Sequence, residues 1–324
     1  MQSPAAAAHS VLTPASPHAV AIAHLARLFF SLGALVWLAV LAFLAWSLLR
    51  SRGLNQPTED THVVRRQTGA VGAALALTTI LLLALGFVDY RTGRGIEKAH
   101  ARVLSADTVR VQLIGHQWWW EIRYQQATWP FQVTTANELH IPLGRPVVLT
   151  LESRDVIHSF WAPNLHGKSD LVPGYSSQFL VQADTPGVYA APCAEFCGTQ
   201  HAKMMLLVVA QPPDSFAAWY ANESRDAPAP RSDSTDRGRQ VFLAAACPFC
   251  HTIRGTGSGG TVAPDLTHIA GRRMLGAGAA FNTRTELGGW IENPQGMKPG
   301  NRMPANLVRG SDLPALLAYL ATLK

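Results

Sequence analysis

The chain has 324 residues, too many for one average domain, so two or three folded units are expected. Its net charge of +6 could attract an anionic partner, but the basic residues form no stripe, which speaks against nucleic acid. All four cysteines fall in two short motifs, 193/197 and 247/250, leaving none for a distant disulfide and pointing to metal or haem.

Residues 1–20 are rich in Ala, Ser, Pro and His, carry no Lys or Arg, and read as a short flexible lead. A signal peptide would want a basic start and a shorter apolar core. Uncharged apolar runs follow at 28–49 and 68–88, each long enough to span a bilayer and neither showing a polar face. Residues 1–104 are therefore expected to be the lead plus a two-helix transmembrane hairpin. Arg50, Arg52, Arg65 and Arg66 place the connecting loop in the cytoplasm, whereas Arg91, Arg94, Lys98 and Arg102 after the second run pull the other way.

From Asp107 the pattern becomes short and alternating. Val109, Val111 and Leu113 share one face, and further strands are expected near 146–151, 178–181, 188–190 and 206–209. The spacing predicts an all-β sandwich or barrel over 105–221. Within it, G-H-Q-W-W-W (115–120) on a strand would put Trp118 and Trp120 on one face and Trp119 on the other.

The stretch C-A-E-F-C-G-T-Q-H-A-K-M (193–204) gathers thiolate, imidazole and thioether ligands in one loop. That set suits copper better than oxygen-loving cations. A two-metal site needs a second histidine, and His158 in D-V-I-H-S-F-W is the candidate. A Cys193–Cys197 disulfide and a Cys2His2 zinc site are the alternatives, but zinc leaves Met204 without a role.

Residues 222–236 are polar and rich in Pro, Ser and Asp, and read as a linker. Residues 237–324 carry C-P-F-C-H at 247–251, the haem c attachment signature. Cys247 and Cys250 would form the thioethers and His251 would bind the iron; a bare redox dithiol is the alternative. Met274, Met297 and Met303 are candidates for the other axial position. His166 and His268 read as ordinary surface or loop histidines.

The segments D-V-I-H-S-F-W-A-P-N-L-H-G-K-S-D-L-V-P-G (155–174) and G-V-Y-A-A-P-C-A-E-F-C-G-T-Q-H-A-K-M (187–204) resemble subunit 2 of cytochrome c oxidase, which carries the di-copper CuA centre. The resemblance implies two copper ions bridged by Cys193 and Cys197. Each would take one histidine, His158 or His201, with Met204 and the Glu195 carbonyl as weak outer ligands. It implies a cupredoxin fold for 105–221 and a magnesium ion held partly by the Glu195 carboxylate at the boundary with subunit 1. It also makes Trp118 the side chain that receives and relays electrons. Trp119 stands where the family usually has tyrosine. K-P-G-N-R-M-P resembles the distal-ligand loop of small bacterial cytochromes c, which selects Met303 over Met297. A-P-D-L (263–266) resembles the segment whose proline carbonyl orients the proximal histidine, and 311–323 resembles the closing helix of an all-α cytochrome c domain.

The expectation is thus a multi-domain membrane protein: transmembrane hairpin, cupredoxin-like domain and fused haem c domain. It would accept electrons from a cytochrome c or another redox protein and relay them through haem c and CuA to subunit 1. There oxygen would be reduced to water with proton translocation. Subunit 3 and membrane lipid are further partners, and the metal-bearing domains would face the periplasm of a prokaryotic plasma membrane. The alternatives are a CuA-bearing nitric oxide reductase subunit and a membrane-tethered copper-binding protein. Two features depart from the family. The usual glutamate motif ahead of the second span is missing, with Glu59 and Asp60 nearby but not aligned, and Tyr175 follows P-G where arginine is common.

Overall fold

The computed structural model describes residues 9–50, 61–104, 108–125, 133–305, 308 and 310–324. Arg52, Glu59 and Asp60 lie outside the described residues. The chain forms two compact units, Val20–Arg102 and Met1–Ala19 with Val103–Lys324.

The first unit is helical. Helix α1 (Pro17–Arg50) has 34 residues and α2 (Thr61–Leu104) has 44. At about 1.5 Å per residue either outspans a hydrocarbon core of about 30 Å. Both are long and apolar enough to cross a membrane, and their most apolar stretches are unburied. A helix that is apolar all round needs lipid or protein on every side.

The second unit begins with a β domain. Its strands are β1 (Val109–His116), β2 (Trp119–Gln125), β3 (Val133–Ala136), β4 (Glu138–Pro142), β5 (Val147–Ser153), β6 (His158–Phe160), β7 (Ser169–Leu171), β8 (Ser177–Val181), β9 (Gly187–Pro192) and β10 (Met205–Gln211). They pair as a five-stranded sheet β3-β2-β1-β5-β8, a three-stranded sheet β4-β10-β9 and the small pair β6-β7. Strand β1 runs parallel to β5 and β10 parallel to β4. Val109, Val111 and Leu113 point inward as their alternation requires, meeting Leu206 and Val208 of the other sheet in one core.

Two expectations change here. Residues 9–16 are no free lead. Asn164 accepts from Ser10 N and donates to Thr13 O, Ala15 exchanges backbone bonds with Asn164 and Asp184, and Ser16 Oγ donates to Leu165 O. Trp118 and Trp120 do not share a strand face. Trp118 lies in the turn between β1 and β2, whereas Trp120 on β2 is fully buried and Trp119 stacks on His116.

Helix α3 (Pro213–Glu223) leads to the C-terminal domain, with α4 (Asp233–Ala244), α5 (Arg284–Glu292), α6 (Pro294–Met297) and α7 (Asp312–Leu320). Two short hairpins, β11 (Thr252–Ile253) with β12 (Ser258–Gly259) and β13 (Met274–Leu275) with β14 (Ala280–Phe281), complete it. Ser232 caps α4 in a reciprocal pair with Thr235. Helices α4 and α7 cross at Gly238, where a Cβ would lie 2.0 Å from Ala315 O, so only glycine permits the approach. The stretch between α3 and α4 is held rather than loose. Arg254 donates to Glu223 O and Arg225 O, and Ala227 N donates to Arg254 O. His268, read as a surface or loop histidine, is buried, its ring nitrogens facing Lys324 O and Arg225 O.

Candidate metal and haem sites

The loop between β9 and β10 is closed at its base, where Cys193 N donates to Met204 O at 2.8 Å. Ala194 N donates to Ser159 O at 3.0 Å and ties the loop to β6, which carries His158. A short 3-10 turn, His201–Lys203, brings the second histidine round. Four soft or nitrogen donors therefore converge from two neighbouring elements.

Cys193 Sγ lies 3.9 Å from His158 Nδ1, and Cys197 Sγ lies 3.6 Å from His201 Nδ1. The sulfurs are 3.8 Å apart, with both thiols free. Met204 Sδ is 3.8 Å from Cys197 Sγ, and Glu195 O is 3.3 Å from Cys193 Sγ. Both cysteines, His158 and Met204 are buried. The donor set fits a two-metal centre: two thiolates, one imidazole beside each, and two weak donors on opposite sulfurs. The Glu195 carboxylate points elsewhere, to Lys168 Nζ at 3.6 Å.

Asp155, which carried no role in the sequence reading, fixes the orientation of His158. Its Oδ1 lies 2.8 Å from His158 Nε2, and it also accepts from Gln117 N and Val156 N. An Nε2–H donated to a carboxylate leaves the Nδ1 lone pair facing Cys193. Burial works against charge on Asp155, but the bonds from His158, Gln117 N and Val156 N bring its pKa below the ordinary value. Burial alone would lower the pKa of His158; Asp155 and then Cys193 raise it. Hydrogen bonding from the Cys197 thiol, then from His158, holds Cys193 well below the ordinary thiol range, while the same pairing pushes Cys197 up.

In the C-terminal domain a 3-10 turn, Cys247–Phe249, presents the second motif. Cys250 N and His251 N both bond to Cys247 O, so both thiols and the imidazole leave one turn. His251 Nδ1 donates to Pro264 O at 2.7 Å, leaving Nε2 as the nitrogen that can bind iron. This is the carbonyl that A-P-D-L was expected to supply. Burial lowers the pKa of His251, which keeps the imidazole neutral as iron requires. Two free thiols beside such an imidazole fit covalent haem c.

Met303 packs against the same buried cluster as Cys247. Met297 is directed elsewhere: its methyl fills the space over Gly289 on α5.

The two sites are joined through one contact region. Trp118 Nε1 donates to Cys197 O at 2.9 Å, and Gln117 Nε2 donates to the same oxygen at 2.9 Å. Gly300 lies beside the far edge of the Trp118 ring, where a Cβ on it would be 3.8 Å from Cη2. Lys298 Nζ donates to Trp118 O, Lys203 O and Gly276 O. Burial draws the Lys298 pKa down to about 7, with Cys197 opposing and Lys203 adding to the shift.

Comparison with known proteins places the chain in a family. Residues 128–211 match the family described as cytochrome c oxidase subunit II, periplasmic domain, and residues 235–324 match cytochrome c. A cytochrome c oxidase subunit 2 of Alkalihalophilus pseudofirmus is 32% identical over 291 residues, covering 88% of this chain and 83% of that one. The Bacillus subtilis protein of the same name is 28% identical over 67% of this chain and 63% of its own length. The crystal structure of the periplasmic domain of subunit II of cytochrome oxidase from Bradyrhizobium japonicum aligns with TM-score 0.34 and 24% identity, over 36% of this chain and 94% of that one. With its two apolar helices, copper-type β domain and C-terminal cytochrome c domain, this chain belongs to the cytochrome c oxidase subunit 2 family and is a subunit of an oxidoreductase complex.

Proposed function

We propose that the chain receives single electrons from a cytochrome c or another redox protein at its haem c domain and relays them through CuA to subunit 1. There oxygen is reduced to water and protons are translocated. When bound, haem c and the copper pair supply one-electron oxidation and reduction. Cys193, Cys197, His158 and His201 would hold the two coppers, with Met204 and Glu195 O as weaker donors. Cys247 and Cys250 would anchor haem c, and His251 and Met303 would bind its iron. The β domain keeps Cys193, Cys197, His158 and Met204 buried, with His201 half-buried at the edge, which limits water access and rearrangement of the loop.

The observation that carries the reading is Trp118. Its N–H is bonded to the carbonyl of one thiol residue, and the far edge of its ring lies beside Gly300 in the haem-domain loop that leads to Met303. A relay through this indole needs no contact beyond those in the fold. The further parts rest on the family: subunit 3 as neighbour, the chain in a prokaryotic plasma membrane with both redox domains on the periplasmic face, and magnesium at Glu195. The division into 1–104, 105–221, 222–236 and 237–324 is proposed on the two family matches.

The test is flash reduction of haem c in the purified oxidase, followed at the haem and copper absorption bands. Haem reoxidation matched in time by copper reduction is expected. Haem reoxidation with no copper signal would overturn the relay.

A further inference from the structure

We propose that Lys298 is the positioning residue of the haem-to-copper step, its ammonium locking the loop before Met303 onto the Trp118 turn and the copper loop. The two domains then exchange electrons from one fixed arrangement, not by docking and release. The inference rests on the relay reading above.

Lys298 is 2% exposed, and such burial is rare for a lysine. Its Nζ reaches Trp118 O at 2.6 Å, Lys203 O at 2.6 Å and Gly276 O at 2.7 Å. Three carbonyl acceptors match the three protons of an ammonium, whereas a neutral amine can supply only two. Two of these carbonyls belong to the β domain and one to the haem domain.

Its neighbours repeat the pattern. Lys203 Nζ donates to Met297 O at 2.7 Å, Gln200 Nε2 donates to Pro299 O at 2.7 Å, and Gly300 lies beside the edge of the Trp118 ring. Four consecutive residues, 297–300, thus touch the β domain. On its side each contact adjoins a copper-ligand candidate: Gln200 precedes His201, Lys203 precedes Met204, and Trp118 is bonded to Cys197 O. Separation of the domains would break the Lys298 bonds to Trp118 O and Lys203 O together with those from Lys203 to Met297 O and Gln200 to Pro299 O, so opening is disfavoured by their joint loss. The held stretch between α3 and α4 adds no slack, because Arg254 grips Glu223 O and Arg225 O. Electron transfer slows steeply with separation, so a loop fixed beside the acceptor sets the rate.

The test uses the assembled oxidase and flash reduction of haem c, from low salt to about 1 M, where the Debye length is about 3 Å. Wild-type haem-to-copper transfer is expected to keep its rate across that range. Lys298→Met keeps side-chain length but removes the charge and all three donors. It is expected to slow transfer about tenfold and make it salt-dependent, because buried acceptors are stranded, while the haem and copper spectra stay unchanged. Lys298→Arg, which keeps the charge, is expected to recover part of the rate. Should Lys298→Met lose either centre, Lys203→Met decides, since that lysine is exposed. It severs the tie to Met297 O and is expected to slow transfer severalfold. A wild-type rate in the informative variant, or a salt-dependent wild type, overturns the lock. Complete absence of haem-to-copper transfer in wild type instead overturns the relay.

Discussion

Asp155 Oδ1 and His158 Nε2 lie 2.8 Å apart, and this bond decides which nitrogen of the ring faces Cys193. The carboxylate is itself held by two backbone N–H groups, so it cannot swing away without stranding them. Outer partners of this kind contribute about 10–100-fold in metal affinity. Asp155→Ala is therefore expected to weaken copper binding by that order, read by competition with a copper chelator. Cys193 and Cys197 should remain present and reactive towards a thiol reagent in the copper-free chain. Unchanged affinity would show that His158 is oriented by packing alone.

Gly115 protects the same ring from the other side. A Cβ on it would lie 2.6 Å from His158 Cδ2 and 2.9 Å from Cγ. His158 is fully buried and tethered by Asp155, so the ring cannot yield. Overpacking of this sort costs about 1–3 kcal/mol. Gly115→Ala should lower copper content while leaving the covalent haem spectrum intact, since Cys247 packs against a separate core. Wild-type copper stoichiometry in the variant would contradict this.

Why Asp155 and Gly115 escaped the sequence while the ligands did not is a matter of what spacing encodes. Cys193, Cys197, His201 and Met204 must sit on one loop, so their separations carry the chemistry. Pro264 was legible for the same reason, lying in a segment of familiar pattern, and its carbonyl does meet His251. The alternation of Val109, Val111 and Leu113 likewise encodes a strand directly. Asp155, Gly115 and Lys298 act across the fold, where a carboxylate, a missing Cβ and an ammonium look like ordinary loop or strand residues. Strands β6 and β7 have only three residues each, too few for a period to show. Three tryptophans in a row read as strand because aromatic residues favour it, yet Trp118 turns the chain. The polar stretch after α3 read only as a linker because it is held by its backbone carbonyls, which composition does not record.

The distal haem ligand can be separated by two substitutions. Met303 packs with Cys247 around the haem-domain core, whereas the Met297 methyl fills the surface of α5 over Gly289. Met303→Ala should abolish the weak sulfur-to-iron absorption band and lower the haem potential, as loss of a thioether ligand does. Met297→Ala should keep the band. The reverse result would move the ligand to Met297.

Glu138 on β4 is 5% exposed and accepts a bond from Arg273 N, joining the β domain to the haem domain. Burial raises its pKa above the ordinary 4.5, and the Arg273 and Met274 backbone bonds with the charges of Arg272 and Arg273 only partly offset this. Between 4.5 and the raised value the folded chain therefore holds a proton that the unfolded chain has released. The stabilisation is full below the unfolded pKa and is lost as pH rises through the folded one. One such group contributes a slope of at most about 1.4 kcal/mol per pH unit. Glu223 is shifted in the same direction by burial, so the two reinforce each other. Glu138 and Glu223 thus each add a component of thermal stability that falls as pH rises from about 4.5 towards neutrality, whereas His140, whose pKa burial lowers to about 3, adds one that rises. Glu138→Gln retains an oxygen acceptor for Arg273 N but cannot titrate, so relative to wild type it should lose the falling component due to Glu138 and leave those due to Glu223 and His140. If the variant keeps the full wild-type slope, Glu138 is not the group that links protonation to the contact between the two domains.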